Sequence, residues 1–200
     1  MLKLSKSAFI FIGYQNDYFA NDGILKGAIE ESANANAVLD NTLHLIDAVK
    51  STRATLIQTP IHFTTTYEEL DEPVGILKII QDVGAFQKGK PGSAIIDEFQ
   101  RYGDRIEVVD GKRGLNAFSN TELDRNLIKY GIQNIILAGA VTSICIDSTG
   151  RAAHERGYKV FIMSDCTAGR SNFEQTFYCD NIFPLYATVM NSKALIAQAV

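Results

Sequence analysis

The segment Asn134–Gly150, which reads NIILAGAVTSICIDSTG, decides the fold of this 200-residue chain. Its first part, Asn134–Ala138, is a short and almost continuously apolar run, typical of a β-strand that is covered on both faces. After Gly139 the pattern becomes that of a helix, which we expect to begin near Thr142 and to end at Gly157. A buried strand that leads through a tight turn into a helix is the repeating unit of α/β proteins.

The same alternation of apolar runs and amphipathic stretches continues along the chain. The other predicted strands are Ala8–Ile12, Ala54–Gln58, Ile106–Val109, Lys159–Met163 and Ala187–Met190. The other predicted helices are Ser32–Lys50, Val74–Val83, Thr121–Tyr130 (with Ser119 and Glu122 spaced as a capping box), Asn172–Phe183 and Ser192–Ala199. We therefore predict an α/β fold, a three-layer αβα sandwich around a mostly parallel six-stranded sheet, as a single domain over residues 1–200.

The segment Pro60–Gly92 interrupts this alternation. It is long and partly polar, and it contains one short helical pattern. Excursions of this length in compact domains are commonly lids or subunit contacts. We expect it to lie over one face of the domain in one of these two roles.

The composition excludes several classes of protein. With 46% hydrophobic and 21% charged residues, the chain has enough apolar material for a large core. A net charge of -4 gives no basic surface for nucleic acid, and no run approaches the ~20 apolar residues that a membrane helix needs. Three cysteines, an odd number, do not suggest a disulfide framework. We therefore expect a protein of the reducing cytoplasm.

Cys145 is the strongest candidate for a reactive group. It lies just after a predicted strand and in the first turn of the next predicted helix. Helix N-termini carry partial positive charge and unpaired backbone N–H groups, which favour thiolates and stabilise oxyanions. The alternative is a buried structural cysteine, and for Cys166 and Cys179 that alternative is the better interpretation.

Other polar residues near the predicted strand ends are weaker candidates. His62 follows the second strand and could reach a cleft there, whereas His44 and His154 lie on helices away from it. Lys112 follows the third strand, where a cation either faces the cleft or lies in solvent. No residues have the spacing of a metal site and no glycine-rich loop has the pattern of a nucleotide site, so we predict neither a metal nor a cofactor.

Four segments, in order, resemble the isochorismatase-like cysteine hydrolases, a group that contains nicotinamidases and N-carbamoylsarcosine amidases. AFIFIGYQNDYF, residues 8–19, resembles the first strand and the D-x-Q-x-D-F motif of the family. DGKRGLNAFSNTELD, residues 110–124, resembles its lysine segment. ILAGAVTSICIDSTGRAAHERGYKVFIMSDCTAG, residues 136–169, resembles its nucleophile block, and NIFPLYATVMNSKALI, residues 181–196, resembles its last strand and closing helix.

The resemblance implies a catalytic triad of Asp, Lys and Cys, whose last two members match Lys112 and Cys145. It also implies a non-proline cis peptide bond between Ala140 and Val141, and an oxyanion hole formed by the backbone N–H groups of Val141 and Cys145. In the implied reaction the carboxylate deprotonates the thiol, the thiolate attacks an amide-like carbon, and water releases the acyl-enzyme. Oligomers are usual in the family, so we expect a homo-oligomer.

The position of the triad carboxylate departs from the family pattern. Gly13 stands where the family has its catalytic aspartate, and Asp17 matches the second acid of the motif. A positioned base contributes typically ~10²–10⁴ in rate, so this loss affects the expected activity more than the expected fold. Asp17, Asp165 and His62 are the candidates for a replacement base, and we place Asp17 in the catalytic set. The metal-binding residues of nicotinamidases have no match in this chain.

We therefore expect a metal-independent cysteine hydrolase that acts on the C–N bond of a small amide, ureide or carbamoyl-type substrate. The residues expected to bind this small molecule follow the strand ends: Gly13, Gln15, Phe19, Phe63, Phe118 and Thr142. Two alternatives stay open. One is hydrolysis of an isochorismate-like vinyl ether, which in this family does not depend on the cysteine. The other is a non-catalytic binder of small molecules that has lost its base.

Overall fold

The structure is a computed structural model, and it describes residues 2–199. The strands are β1 (Ser7–Ile12), β2 (Thr55–Thr59), β3 (Glu107–Val108), β4 (Asn134–Ala140), β5 (Lys159–Ala168) and β6 (Thr188–Met190). They form a six-stranded sheet in the order β3-β2-β1-β4-β5-β6. Every neighbouring pair is parallel, which confirms the predicted sheet.

Helices cover both faces of this sheet. They are α1 (Asn16–Phe19), α2 (Glu30–Ala35), α3 (Val38–Val49), α4 (Gly75–Val83), α5 (Asp97–Gln100), α6 (Leu123–Lys129), α7 (Asp147–Glu155), α8 (Asn172–Phe177) and α9 (Ser192–Ala199). Residues of α6 and α7 pack on one face, and residues of α3, α5 and α9 pack on the other. The predicted three-layer αβα sandwich is therefore confirmed. Over residues 2–199, no helix has both the length and the apolar character required to cross a bilayer.

The central strands β1 and β4 carry the core because every one of their residues is buried. Alternate side chains enter the two layers: Ile10 and Leu137 pack on the α6–α7 side, and Phe9 and Phe11 on the α3–α9 side. Continuous apolar runs are the pattern that a strand buried on both faces requires. The runs in the sequence therefore located the strands to within a few residues.

The predicted helix Ser32–Lys50 is wrong in one respect, because it is two helices. Ala37 separates α2 from α3 in the left-handed region, with φ of 47°. The side-chain amide of Asn36 donates to the carbonyl of Ser32 at 2.8 Å, and that of Asn41 donates to the carbonyl of Asn36 at 2.9 Å. In a continuous helix these carbonyl groups would accept hydrogen bonds from backbone N–H groups alone. Here asparagine side chains donate to them, which stabilises the break.

The start of α6 also differs from the prediction. Ser119 and Glu122 do not form a capping box, because α6 begins at Leu123. Instead, the side-chain oxygen of Asn116 accepts hydrogen bonds from the backbone N–H groups of Phe118 and Ser119, both at 2.9 Å. The loop before α6 is thus closed by an asparagine turn.

Two helices begin or end with a wider turn. The helix predicted from Thr142 starts with a π-helical turn, Thr142–Ile146, that continues into α7. The helix predicted over Asn172–Phe183 is α8 followed by a second π-helical turn, Tyr178–Ile182. Such turns frequently occur at functional sites, and the first of them contains Cys145.

A close approach between β1 and β4 shapes the carboxyl edge of the sheet. Gly139 has φ of 130°, and a Cβ atom there would overlap the carbonyl oxygen of Ile12. Only glycine permits this approach. It brings the residue after β1, Gly13, beside the last residue of β4, Ala140.

The break at Ala37 predicts a stabilising substitution. We expect Ala37→Gly to raise the free energy of unfolding by about 0.5–1 kcal/mol, because a left-handed alanine costs more than the extra chain entropy of glycine. The control is Ala35→Gly on the exposed end of α2, which should lower stability by about 1 kcal/mol. Urea unfolding of the two variants measures both effects, and two losses of equal size would contradict the interpretation of this break.

Candidate active site

Cys145 lies at the carboxyl edge of the sheet, at the point where β4 leads into α7. The peptide bond between Ala140 and Val141 is cis, as the resemblance implied. The thiol follows in the π-helical turn and is 5% exposed. The cysteine therefore combines deep burial with a place at the start of a helix, where backbone N–H groups lack helical partners.

Lys112 is fully buried and lies against this thiol. Its Nζ is 3.4 Å from the Sγ of Cys145 and donates to the carbonyl oxygen of Gly114 at 2.8 Å. Its backbone is fixed by a bridge to Ile61 and by the N–H of His62, which donates to the carbonyl of Lys112 at 3.2 Å. The structure thus brings together the two residues that the resemblance matched to the lysine and the cysteine of the family triad.

The lysine has an unusual set of partners for a buried cation. Among residues 2–199, neither its hydrogen bonds nor its ion pairs include a carboxylate. A buried charge is stable only when it is paired. The thiol of Cys145 is the side-chain partner of Lys112 in the described structure, so the lysine and the cysteine form one buried polar pair.

The backbone around Cys145 is suited to hold an oxyanion. Within the described part of the chain, the N–H of Val141 donates to no acceptor, and Cys145 is in the first turn of its helix. The side chain of Thr142 is buried and donates to the Oε1 of Gln175. The amide of Gln175 in turn donates to the carbonyl of Ser164 at 2.9 Å, which makes the turn rigid. The oxyanion hole, and substrate binding by Thr142, stay predictions.

Gly13 lies beside this turn in a conformation that favours glycine. Its φ is 76°, and a Cβ atom would lie 3.0 Å from the carbonyl oxygen of Ala140. The same Cβ would lie 3.4 Å from the Cδ2 and 3.5 Å from the Cε2 of Tyr18. The space in which a side chain of residue 13 would extend is therefore bordered by backbone and by an aromatic ring.

Asp17 is engaged by the excursion rather than by the thiol. Its Oδ2 accepts a hydrogen bond from the backbone N–H of Phe86 at 2.6 Å, and its Oδ1 lies against Gly92, where a Cβ would overlap it. Burial raises the pKa of the Asp17 carboxyl, and the hydrogen bond from Phe86 partly offsets this shift. This geometry gives Asp17 the role of a clamp, and its role as a base stays a prediction.

Gln15 is a second clamp on the same segment. Its Nε2 donates to the carbonyl groups of Ile61 at 2.9 Å and Ser93 at 2.8 Å, while its Oε1 accepts from the N–H of Ile61 at 2.7 Å. The two amide hydrogens and the carbonyl oxygen are thus all committed to backbone groups. Gln15 fixes both ends of the excursion, and its predicted contact with substrate is untested.

The other candidate bases have partners of their own. His62 contacts Asp110 at 2.8 Å through Nδ1. Burial acts to raise the pKa of Asp110, but hydrogen bonds from Lys88 and His62 hold it well below its ordinary value. The carboxylate of Asp165 accepts from the N–H and the hydroxyl of Ser192 and so caps α9. Among the described contacts of these two candidates, none involves Cys145.

The predicted substrate-binding phenylalanines lie in three different environments. Phe63 belongs to a buried cluster that also contains Val141 of the predicted oxyanion hole. Phe19 stacks on Tyr14 with ring centroids 4.9 Å apart. Phe118 packs in the core beside Cys145 and stacks on Tyr158 at 6.3 Å.

An aromatic wall faces the residues that precede Cys145. It consists of Tyr18, Phe63, Tyr67 and Phe86, all at most 5% exposed and packed in one cluster with Ala140 and Val141. Three of the four come from the excursion, so its interpretation as a cover for one side of the domain fits this packing. Tyr18 and Tyr67 were missed by the sequence analysis, although the aromatic position of the D-x-Q-x-D-F motif falls on Tyr18 and not on Phe19.

No group of three or more His, Cys, Asp or Glu side chains in residues 2–199 is arranged to hold a metal ion. Both ring nitrogens of His62 have protein contacts, to Asp110 and to the carbonyl of Ser93 at 3.3 Å.

Comparison with known proteins agrees with this geometry. A family model of the isochorismatase domain matches residues 7–194. Nicotinamidase 3 of Arabidopsis thaliana is 31% identical over 68% of this chain and 67% of its own length. A ureidoacrylate amidohydrolase of Rhizobium rhizogenes is 27% identical over 99% of this chain and 86% of its own length. A cysteine hydrolase from Pseudomonas syringae has the same fold, with a TM-score of 0.83, 19% identity, and coverage of 98% of this chain and 93% of its own. Since the family model spans both the lysine loop and the cysteine turn, the chain belongs to the isochorismatase family of hydrolases.

Proposed function

We propose that this protein hydrolyses the C–N bond of a small amide, ureide or carbamoyl-type substrate through a covalent intermediate on Cys145. One observation carries the proposal: a fully buried lysine amine lies 3.4 Å from the thiol at the start of a helix. A thiol beside a base is the arrangement of cysteine nucleophiles. Lysine also serves as the base in known variants of the catalytic triad.

The pair supplies each proton that the reaction requires. Lys112 takes the proton of the thiol as Sγ forms a bond to the substrate carbon, and the carbonyl electrons move to the oxygen. The N–H groups of Val141 and Cys145 hold that oxyanion. When the C–N bond breaks, the ammonium of Lys112 gives its proton to the departing nitrogen. Water then attacks the thioester, loses a proton to Lys112, and releases the acid and the thiolate.

Two observations support the substrate class. The related proteins are named as a nicotinamidase and a ureidoacrylate amidohydrolase, and both names specify small C–N substrates. A surface depression of about 650 Å³ lies next to the lysine loop, lined by Arg113 and Gly114 of that loop and by Glu69 and Leu77 of the excursion. The carbonyl of Gly114 is bonded to Lys112. We infer that substrate reaches the thiol from this side.

The cellular setting and the assembly belong to the same proposal. All three cysteines are free, as expected for the reducing cytoplasm. The helix α4 exposes Ile79 and Val83, and Val74 just before it is 79% exposed. Exposed apolar residues on one short segment are typical of a contact surface. We propose that α4 and the residue before it contribute to the interface of a homo-oligomer.

Gly13, which stands at the position of the catalytic aspartate of the family, favours one alternative function. In this alternative the protein binds small molecules but does not catalyse a reaction. In that case the chain would keep the fold and the pocket but turn over no substrate. A screen of amides and ureides for ammonia release separates the two functions. The hydrolase proposal requires that at least one compound is turned over and that turnover depends on Cys145.

Cys145→Ala should abolish this turnover, with a loss of more than about 10³-fold, because the covalent step disappears. The matched control is Cys166→Ala, a buried cysteine on the other side of the sheet, which should keep its activity. Intact-mass spectrometry of wild type during turnover should show an acyl adduct on Cys145. Full activity of Cys145→Ala would exclude the covalent mechanism.

The three thiols should also differ in alkylation by iodoacetamide at neutral pH. Burial and Asp165 raise the pKa of the Cys166 thiol, and burial and Asp180 raise that of Cys179 to about 12. Both should react slowly because they remain protonated. We expect peptide mapping to find Cys145 modified first, and equal modification of all three thiols would contradict the proposal.

Lys112→Met should lower kcat by about 10²–10³-fold, since it removes the proton carrier and a donor near the developing charge. Its effect on the free energy of unfolding should stay within about 1 kcal/mol, because a buried amine without a carboxylate partner stabilises the fold little. The control is Lys88→Met, whose ion pair with Asp110 is at the surface and should change kcat less than about twofold. Equal effects of the two substitutions would remove Lys112 from the mechanism.

Gly13→Asp should not rescue or raise the activity. Gly13 and Gly157 both have a positive φ, 76° and 86°, so an alanine is strained at either position. At Gly13 the Cβ would also lie close to the carbonyl of Ala140, whereas at Gly157 it would have no atom within 4 Å. Gly13→Ala should therefore be less stable than Gly157→Ala. We expect Gly13→Ala to cost about 1–2 kcal/mol more in urea unfolding. A stable Gly13→Asp that gains activity, beside an inactive wild type, would favour the binder.

A further inference from the structure

The hydroxyl of Tyr18 has no protein partner, although the residue as a whole is only 2% exposed. Among residues 2–199, the enclosed side-chain atoms that lack a partner are Oε1 of Gln58 and Oγ1 of Thr59. The oxygen of Tyr18 is not one of them, so it keeps a small accessible surface. The neighbouring buried tyrosines behave differently. Tyr14 bonds Thr42 at 2.6 Å and the carbonyl of Cys166 at 3.1 Å, and Tyr67 bonds the carbonyl of Ala85 at 2.6 Å. Hydroxyl groups of buried tyrosines are normally paired with protein groups, so the hydroxyl of Tyr18 is available to a bound molecule that reaches its accessible surface.

The ring of Tyr18 borders the space that a side chain at position 13 would enter. A Cβ at Gly13 would contact first Cδ2 and then Cε2 of the ring, which is the edge that leads to the hydroxyl. The other side of the ring packs on Phe86 at 5.1 Å between centroids, and the backbone of Phe86 is held by Asp17. The edge of the Tyr18 ring therefore packs beside the backbone of Gly13, and the hydroxyl group lies beyond this contact.

This end of Tyr18 is in the electrostatic environment of the nucleophile. Burial raises the pKa of the Tyr18 phenol far above its ordinary value, and the negative charges of Cys145 and Asp17 raise it further. The phenol is therefore neutral throughout the working pH range. A neutral hydroxyl both accepts and donates one hydrogen bond, and its proton rotates to suit the partner.

We propose that Tyr18 is a catalytic residue whose hydroxyl binds the scissile nitrogen of the substrate, in the place left free by the absent side chain of residue 13. In the bound amide or ureide the hydroxyl accepts the N–H. When the thiolate has added and the nitrogen has become tetrahedral, the hydroxyl turns and donates to the new lone pair. Tyr18 keeps its proton throughout. Its hydroxyl releases the lone pair when the ammonium of Lys112 protonates the nitrogen there, and the C–N bond then breaks. This inference rests on the proposed function.

The matched variants are Tyr18→Phe and Tyr14→Phe, each of which removes one buried hydroxyl. Because the hydroxyl of Tyr18 has no partner, its loss should leave the melting temperature unchanged or raise it. Loss of the Tyr14 hydroxyl leaves Thr42 without that partner and should lower the melting temperature by several degrees. For catalysis we expect the reverse: Tyr18→Phe should lower turnover, whereas Tyr14→Phe should leave it almost unchanged.

With an amide or ureide that wild type turns over, Tyr18→Phe should lower kcat by about 10- to 100-fold and change KM less than about threefold, since the bond strengthens as the nitrogen pyramidalises. Tyr14→Phe should keep kcat within about twofold of wild type. A Tyr18→Phe variant with wild-type kcat would overturn the proposal. A Tyr18→Phe variant that loses stability as much as Tyr14→Phe would do the same, because its hydroxyl would then have a structural role.

A second readout does not depend on turnover. Iodoacetamide carries a primary amide, whereas methyl methanethiosulfonate does not, so only the first offers an N–H to Tyr18. The ratio of their rates at Cys145 should fall by about threefold or more in Tyr18→Phe and stay constant in Tyr14→Phe.

If no compound in the panel is turned over, the hydrolase proposal fails. The rate ratio still decides whether Tyr18 recognises an amide, and an unchanged ratio rejects that recognition.

Discussion

A buried amine held against a buried thiol is the contact on which the rest of the site depends. Lys112 has no exposed surface, and its Nζ has two partners in the described structure, the thiol of Cys145 and the carbonyl of Gly114. These two contacts supply the polar partners that a buried amine requires. The contact also links two distant parts of the chain, the loop after β3 and the turn after β4. The fold that brings these ends to one edge of a parallel sheet therefore also assembles the proposed nucleophile and its proposed proton carrier.

The remainder of the site follows from how the chain leaves β1. Gly139 lets β4 approach β1 closely, and Gly13 continues this approach with a positive φ. Tyr18 fills the space beside Gly13, and the excursion closes over it with Phe63 and Phe86. The proposed division of roles assigns the proton to Lys112 and the orientation of the nitrogen to Tyr18. A carboxylate at position 13 would lie against the carbonyl of Ala140 and the ring of Tyr18, and would take the place that the proposal gives to the substrate nitrogen.

The sequence was sufficient for the sheet and for the reacting pair, and insufficient for the contacts that surround them. The strands were predictable because burial on both faces leaves a continuous apolar run, as in β1 and β4. Their position after strands whose carboxyl ends meet made Cys145 and Lys112 candidates, but left a structural cysteine and a solvated lysine open. The resemblance to the family motifs was required to select the pair. The break at Ala37 was not predictable, since it depends on two asparagine side chains that bond backbone carbonyls. The proposed role of Tyr18 was not predictable either. It depends on the packing of the ring beside Gly13, five residues earlier in the chain, and the sequence pattern does not record packing.

Gln15 and Asp17 give the opening motif a second meaning. Both side chains are occupied by backbone groups of the segment that begins after β2 and ends near Ser93. The first motif position, Gly13 here, is the one that the family resemblance assigns to catalysis. The third and fifth positions, Gln15 and Asp17, hold the excursion against the domain. The two functions overlap in five residues of sequence but are physically separable. The acid at the first motif position can therefore be replaced by another proton carrier without loss of the other motif residues. Gln15 and Asp17 are retained in that case because they hold the excursion in place.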